Sequence, residues 1–477
     1  MAHSLAPHEV AALVARRLAE RTGEFAVIGL GRSGVAASRL LRKAGISVYA
    51  SDASATDAVR TTAAELERDG ASVDVGLHNL ERIAHAAVVV VSPGVPPGAP
   101  PLVAARKAGL PIVSEVEVAL RLMPQLRYIA TTGTNGKTTT TALVGHLLRA
   151  LGHDAADVGN IGTPVSELAL RDAPPTWAAL EMSSFQLHDT PGVTPDVGIL
   201  TTLSPDHLDR YDSVTEYYAD KKLLFANAAV PSRWVTTADS TDVHQLVRGV
   251  QGNWYHFSTQ RSDVDAWYDR DRGELHVLGA PLMARRDVAL AGDHNVANVL
   301  AAVLAVMVAD TEHRTPHARA VLAKAVREFR ALAHRLEPVG DRHGVLWLND
   351  SKATNVASTQ VAIDGMTRPT VLLLGGRHKG EPYTSLAPSL RQHARVVVAY
   401  GEAGAQIEAD LAPALGDAVP VVLMPMGSTF DQVVSRARSL AKAGDALLLS
   451  PACSSYDMFR NYEERGRAFA RLAEALT

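Results

Sequence analysis

Residues 130–140 read A-T-T-G-T-N-G-K-T-T-T, a composition suited to gripping polyphosphate. Glycines let successive backbone N–H groups turn inward on phosphate oxygens, a lysine reaches the outer phosphates, and a hydroxyl opening the next helix can hold Mg²⁺. Gly133 and Gly136 supply the bends, Lys137 the cation and Thr138 the hydroxyl, while Thr134, Asn135 and Thr139 complete the loop. The usual spacing would put glycine at 131, where Thr131 stands. Downstream, Glu181 and His207 each follow an apolar run, where a strand should give out. An acid and a histidine beside a phosphate loop, together with Thr138, make a Mg²⁺ shell. Asn160 lies in a tight turn, G-N-I-G, and can face a ligand.

A second glycine pattern lies upstream. An apolar run from Glu24 enters G-L-G-R-S-G at Gly29, Gly31 and Gly34, and a second run ends on Asp52. This is the mark of a dinucleotide-type βαβ unit, with a diphosphate on the helix N-terminus and the acid on a ribose or base. Taken alone it favours NAD, although any diphosphate suits the same helix end. A third run, 86–91, breaks at Ser92-Pro-Gly and should feed a loop at the carboxyl edge of a parallel sheet.

Stepping out from these motifs, 477 residues are too many for one core and imply about three domains. Apolar runs alternating with helical stretches indicate an α/β protein with parallel sheets. The boundaries expected are 1–114 for a Rossmann-like domain, 115–331 for a central P-loop domain and 332–477 for a second Rossmann-like domain. Residues 7–21 should form a helix, and 115–123 a linking helix. In the third domain Val345-Leu-Trp-Leu runs into Asn349-Asp-Ser-Lys-Ala-Thr-Asn355, and 370–380 and 446–457 repeat the strand-then-polar-loop idea. The helix at 215–227 carries Lys221 and Lys222, which the residues alone leave as solvated charge. Asn295 and Asn298 lie one turn apart on a helix, placed either to read a purine or to cap.

A net charge of −4 with 21% charged residues offers no basic stripe for nucleic acid. The first eight residues lack the pattern of a signal peptide, and the apolar stretch at 296–309 is too short to span a bilayer. One cysteine, Cys453, excludes an intrachain disulfide. A cytoplasmic monomer without membrane or nucleic-acid partners is the expectation.

With these residues assembled, the chain resembles the Mur ligases from about Phe25 to its C-terminus. T-G-T-N-G-K-T-T, at 132–139, is common to Mur ligases and folylpolyglutamate synthases. The N-D-S-K-A-T-N of 349–355 and S-P-A-C-S-S-Y-D of 450–457 are similar to the branch that adds D-glutamate. The resemblance implies ATP with two Mg²⁺ as cofactors, and UDP-N-acetylmuramoyl-L-alanine and D-glutamate as the other substrates. ATP would phosphorylate the alanyl carboxylate, and the amine of D-glutamate would attack the acyl phosphate. Lys137 and Thr138 would hold the outer phosphates and one Mg²⁺ with Glu181, and His207 would serve the second. A carbamylated lysine after that histidine falls at Lys222 by counting, with Lys221 beside it. The resemblance also assigns Asn295, Asn298, Arg335 and Asp350 to adenosine, and Ser33, Asp52, Ser92 and Asn160 to the UDP-sugar. Thr354, Lys379, Ser455 and Tyr462 go to D-glutamate, with Lys352 beside them. Arg377 stands where an acid can stand, and Tyr462 replaces a phenylalanine.

Competing readings leave parts of the chain idle. A folylpolyglutamate synthase has no use for the N-terminal glycine domain. A dehydrogenase does not employ Lys137, Glu181 and His207, and a nucleotide switch needs only the loop. Sites spread over three domains react only when the domains close. Small-angle scattering should therefore show compaction when an ATP analogue and the UDP-substrate are added together; an unchanged radius of gyration would contradict it.

Overall fold

The computed structural model describes residues 6–208, 210–290, 292–330 and 332–475. The first five residues of the expected leaderless N-terminus, and Ala331 at the expected second boundary, lie outside them. The protein is α/β, built on three predominantly parallel sheets.

Valine-rich, β-branched runs that read as buried strands do form them. Val88–Val91 is buried at every position, and it pairs in parallel with Glu24–Ile28 and Ile112–Ser114. On the other side of Glu24–Ile28 come Ser47–Asp52 and then Ser72–Val75, giving five parallel strands whose order reverses beside Glu24–Ile28. The glycine turn leaves the sheet at that reversal, where open α/β sheets bind ligands. Gly34 is required there, because a Cβ would lie 1.8 Å from the Gly29 carbonyl oxygen.

The second sheet has nine strands. Arg127–Thr132 lies third from one edge, flanked by Trp177–Glu181 and Val197–Leu200, all parallel. Its far end finishes with Glu274–Val277 and Ala280–Ala284, which run antiparallel. The helix Asp293–Ala309 buries every residue from Val299 to Ala309. The apolar stretch noted in the sequence is thus core, and among the described residues no helix is long and apolar enough to cross a membrane.

The third sheet orders its strands as 337–342, 345–349, 446–449, 370–375, 394–400 and 421–423, antiparallel only at the first pair. Helices cover both of its faces, with Leu372 and Leu448 packed toward one and Trp347 and Leu447 toward the other.

Contacts divide the chain into two compact units. The first comprises residues 1–202, 218–285 and 297–326 and holds the first two sheets; the second comprises 203–217, 286–296 and 327–477 and holds the third. What joins the first two sheets is the expected linking helix, Glu115–Leu122, which is largely buried. Glu115 is 1% exposed, and its carboxylate accepts the backbone N–H of Val165 (3.2 Å) and Ser166 (2.9 Å) and the Ser166 hydroxyl (2.6 Å). Glu117 similarly accepts from Arg121 (2.7 Å) and the Gly192 N–H (2.8 Å). Burial pushes the Glu115 carboxyl up, against the pull of its donors.

Removing the Glu115 carboxyl strands three buried donors. Glu115→Ala should lower stability by about 2–4 kcal/mol, since each buried group left unsatisfied costs about 1–3 kcal/mol. Glu115→Gln, which keeps an acceptor oxygen, should lose less. Calorimetric melting compares them; an Ala variant that melts with the wild type would show that the helix is no anchor.

Candidate active site

The phosphate loop joins the strand Arg127–Thr132 to the helix Lys137–Ala150. Gly133 (φ 141°) and Gly136 (φ 83°) adopt backbone that L side chains rarely take. There is also no room for one: a Cβ on Gly133 would meet Thr201 Oγ1 at 2.0 Å, and one on Gly136 would meet Asn298 Oδ1 at 2.5 Å. The neighbouring strand's end pins the loop. Thr202 O accepts the Thr134 N–H (2.7 Å), Thr202 Oγ1 accepts the Asn135 N–H (3.0 Å), and the Thr201 hydroxyl donates to Asn135 O (2.6 Å). Thr138 and Thr139 are buried in the helix's first turn. Lys137 Nζ donates to the carbonyls of Gly133 (2.9 Å) and Thr134 (2.7 Å), so the cation is held over the loop.

A second ammonium reaches the same place. Lys221 is 1% exposed, and its Nζ donates to Gly133 O at 2.8 Å. Lys222, chosen by counting along the sequence, faces solvent. Successive residues on the helix Val214–Lys222 point about 100° apart, so only one of the adjacent lysines can turn toward the loop, and it is Lys221.

Glu181 closes the strand Trp177–Glu181 as expected and is 1% exposed. Its Oε1 accepts from Asn160 Nδ2 (2.7 Å), and its carbonyl accepts the Asn160 N–H (2.9 Å). Asn160, assigned from sequence to the sugar nucleotide, is thus the partner that orients Glu181. Asn298 is buried behind the loop and accepts from the Thr140 hydroxyl (3.3 Å), bracing the first turn of the helix that follows it.

In the first sheet, Asp52 spans the glycine turn. One carboxylate oxygen accepts the Leu30 N–H (2.7 Å) and the other the Ser54 N–H (2.8 Å), while the Ser92 hydroxyl donates to Gly29 O (2.9 Å). Ser33 lies half-buried in the first turn of the helix Arg32–Lys43. Arg32, next to it, donates to Gly162 O at 3.2 Å and so ties this turn to the loop that carries Asn160.

The second unit holds the remaining assigned residues: His207, Asn295, Arg335, Asp350, Lys352, Thr354, Lys379, Ser455 and Tyr462. His207 does not end a strand; the strand stops at Leu200, and His207 follows in left-handed backbone (φ 57°). Asp206 beside it accepts from Asn355 Nδ2 (2.9 Å) and from Lys379 Nζ (3.2 Å), and Lys379 also meets Thr354 Oγ1 (3.4 Å). Glu381 completes this group. Burial first, and the charge of Asp206 second, push its carboxyl up to about 7. Asp350 accepts from the Ser450 hydroxyl (2.8 Å) and the Leu336 N–H (3.2 Å), and burial pushes it up to about 7 despite the charge of Arg335. Lys352 Nζ lies 5.1 Å from the centroid of the Tyr462 ring, a cation–π pair. Ser455 is buried and its carbonyl closes a turn with Phe459. Arg377 pairs with Glu402 (2.9 and 3.0 Å) with both side chains about half exposed, which accounts for a base at that position.

Four of these, Asp206, Asn355, Glu381 and the fully buried Arg465, escaped the sequence reading. Arg465 donates to Ser351 Oγ (3.0 Å), Ser351 O (2.9 Å) and Cys453 O (3.1 Å), stapling both narrow motifs of this unit together. Asn355 ends a motif that was recognised and could have been added to it. Nothing local distinguishes Arg465 from the other charges of its helix.

Residues 23–114 match the N-terminal domain of MurD-like Mur ligases, 131–306 the Mur ligase middle domain, and 334–453 the glutamate ligase domain of Mur ligases. The UDP-N-acetylmuramoylalanine–D-glutamate ligase of Koribacter versatilis is 37% identical over 458 residues, spanning 94% of this chain and 97% of that protein. The protein of the same name from Salinibacter ruber is 38% identical over 463 residues, 94% of this chain and 97% of the relative. The crystal structure of a MurF ligase from Thermotoga maritima in complex with ADP shares the fold with a TM-score of 0.58 at 16% identity, over 90% of this chain and 94% of that one. With its length matched domain by domain and its loop glycines locked where a triphosphate must be cradled, the chain belongs to the Mur ligase family.

Proposed function

We propose that this ligase joins D-glutamate to UDP-N-acetylmuramoyl-L-alanine, with ATP converted to ADP and phosphate, in the synthesis of peptidoglycan precursors. The single observation that carries the ATP-dependent step is the loop at 133–138, whose glycines admit no side chain and whose lysine stands over the polyphosphate cradle. The identity of the amino acid rests on relatives that carry that name along nearly the whole chain. Both substrates and ATP are cytoplasmic compounds, so we place the enzyme in the cytoplasm, acting as a monomer whose own chain carries every motif.

In this reading Lys137 and the N–H groups that open the helix Lys137–Ala150 bind and orient the triphosphate, offsetting charge as the γ-phosphoryl moves to the alanyl carboxylate. The acyl phosphate that forms is attacked by the amine of D-glutamate; phosphate leaves and the amide remains. Asp52, Ser33 and Ser92 shape the turn that receives the UDP diphosphate. Lys379 and Lys352 supply the cations that a dicarboxylate requires, with Thr354, Ser455 and Tyr462 around them. Asp206 orients Lys379. Arg335, Asp350 and Asn295 form the side assigned to adenosine.

The donor set suits Mg²⁺: Thr138 offers a hydroxyl at the helix start and Glu181 a carboxylate already oriented by Asn160, and His207 would hold a second ion. The metal would neutralise phosphate charge when bound. We assign the carbamylated lysine to Lys221 in place of Lys222, since Lys221 alone brings its nitrogen to the loop. A carbamate there would turn a cation into a carboxylate-like ligand while keeping an N–H for Gly133.

Phosphate release on mixing ATP, D-glutamate and the UDP-sugar tests the activity, with L-glutamate and meso-diaminopimelate run alongside. Lys137→Ala should lower turnover by roughly 10²–10³-fold, as loss of one preorganised donor to developing charge does, with melting unchanged. Normal turnover in that variant, or equal use of the other amino acids, would overturn the reading.

Lys221→Ala should likewise lower turnover by roughly 10²-fold or more, whereas Lys222→Ala should stay within about threefold, as surface substitutions do. In ¹³C-bicarbonate a carbamate carbon signal should vanish only with the first variant. Its loss with Lys222→Ala instead would reverse the assignment.

A further inference from the structure

Lys379 lies on the loop that leaves the strand Thr370–Gly375, and Ser455 on the loop that leaves Ala446–Leu449, its parallel neighbour in the third sheet. The two loops meet first at the backbone, where the Arg377 N–H donates to Ser454 O (2.9 Å) and the Ser454 N–H to Arg377 O (3.1 Å). They meet again through a side chain that the proposed chemistry does not use, that of Tyr383. This residue is 1% exposed, its ring packs in the core with Leu386 and Ile407, and its N–H donates to Asp410 Oδ2 (3.0 Å). Its hydroxyl lies 2.9 Å from His378 Nδ1 and 3.0 Å from Cys453 Sγ. His378 adjoins Lys379, and Cys453 comes two residues before Ser455.

Among the described residues the Tyr383 hydroxyl has these two partners, so it gives its hydrogen to one and receives from the other. Burial pushes both the phenol and the thiol up, the thiol to about 12, which keeps their hydrogens in place. The backbone pair at Arg377 fixes only the start of the Lys379 loop. The hydroxyl closes the rest of it, reaching back across the turn at Gly380 (φ 88°) to His378, and ties it to the Ser455 loop through Cys453. Packing alone would be served by phenylalanine, and a buried hydroxyl is costly unless it is bonded. Here both bonds go to the two loops that carry proposed D-glutamate contacts, and the packed ring sets how far the hydroxyl stands from the core. We propose that Tyr383 is a positioning residue for the amino-acid substrate: its hydroxyl holds the loop of Lys379 against the loop of Ser455, so that one D-glutamate meets both. This rests on the D-glutamate reading above and adds to it a residue that acts through the two loops.

The test pairs amide hydrogen exchange with steady-state kinetics on the full chain. Tyr383→Phe removes the hydroxyl and keeps the ring. Exchange at the amides of Arg377 and Ser454 should quicken about tenfold, as loss of one hydrogen bond allows, with melting nearly unchanged. KM for D-glutamate should rise about tenfold, while KM for ATP and for the UDP-sugar should stay within about twofold. His378→Ala, at an exposed position, should copy the rise, and the double variant should be no worse than Tyr383→Phe, because the bond lost is shared. Tyr255→Phe, in the nine-stranded sheet, should change none of these. Unchanged exchange in Tyr383→Phe, an unchanged KM for D-glutamate, equal rises for all three substrates, or additive effects in the double variant would each overturn the proposal. A wild type that ignores D-glutamate would overturn the function proposed above and the substrate named here, while the exchange rates would still decide whether the hydroxyl joins the loops.

Discussion

The carbonyl oxygen of Gly133 accepts from two ammonium groups, Lys137 at 2.9 Å and Lys221 at 2.8 Å, and the residue that bears it can have no side chain. The second fact follows from one close approach, that of the loop to Thr201 and Thr202 at the end of the adjacent strand. The order of the nine-stranded sheet makes this possible. Val197–Leu200 lies directly beside Arg127–Thr132, and Trp177–Glu181 lies on its other side, so Thr201 and Glu181 arrive at the loop from opposite flanks. Cation density is thereby gathered on backbone carbonyls where polyphosphate charge must later sit, a form of preorganisation that leaves little to rearrange in the reaction.

A recurring device holds the surrounding turns: an acid that spends its oxygens on backbone N–H groups. Asp52 does so across the glycine turn and Glu115 across the first two sheets, and Asp350 does so at Leu336. Buried carboxylates with several donors are costly to disturb, because removing the acid leaves every donor unsatisfied. Such acids fix loop geometry to within a hydrogen-bond length without occupying the ligand space itself. Arg465 performs the same office with opposite charge, drawing Ser351 and Cys453 together by their carbonyls.

Buried acids with raised affinity for protons mark a different kind of position. Asp350 and Glu381, both pushed up to about 7, lie among the residues assigned to adenosine and D-glutamate, where charge must be met when ligand arrives. Lys379, joined to Asp206 and Thr354, shows how that side of the site keeps a cation available in a protein interior that would otherwise disfavour it.

Sequence alone determined the parts whose chemistry is local. The glycines at 29, 34, 133 and 136 are demanded by backbone conformation and close approach, and β-branched runs such as Val88–Val91 become buried strands whatever surrounds them. Lys137, Thr138 and Glu181 follow from their position at the ends of those runs. Tertiary structure decided what depends on direction and on partners far along the chain. It turned Lys221 inward and Lys222 out, a difference of about 100° that a spacing argument cannot resolve. It gave Asn160 to Glu181 and Asn298 to the helix that follows the loop, and it buried both acids of the linking helix Glu115–Leu122. Asp206 met Lys379 across 173 positions of sequence, and Arg465 met Ser351 across 114. A motif records which groups a site needs; only the packed chain sets which copy of each group points at it, because side-chain direction is fixed by neighbours that the local sequence does not contain.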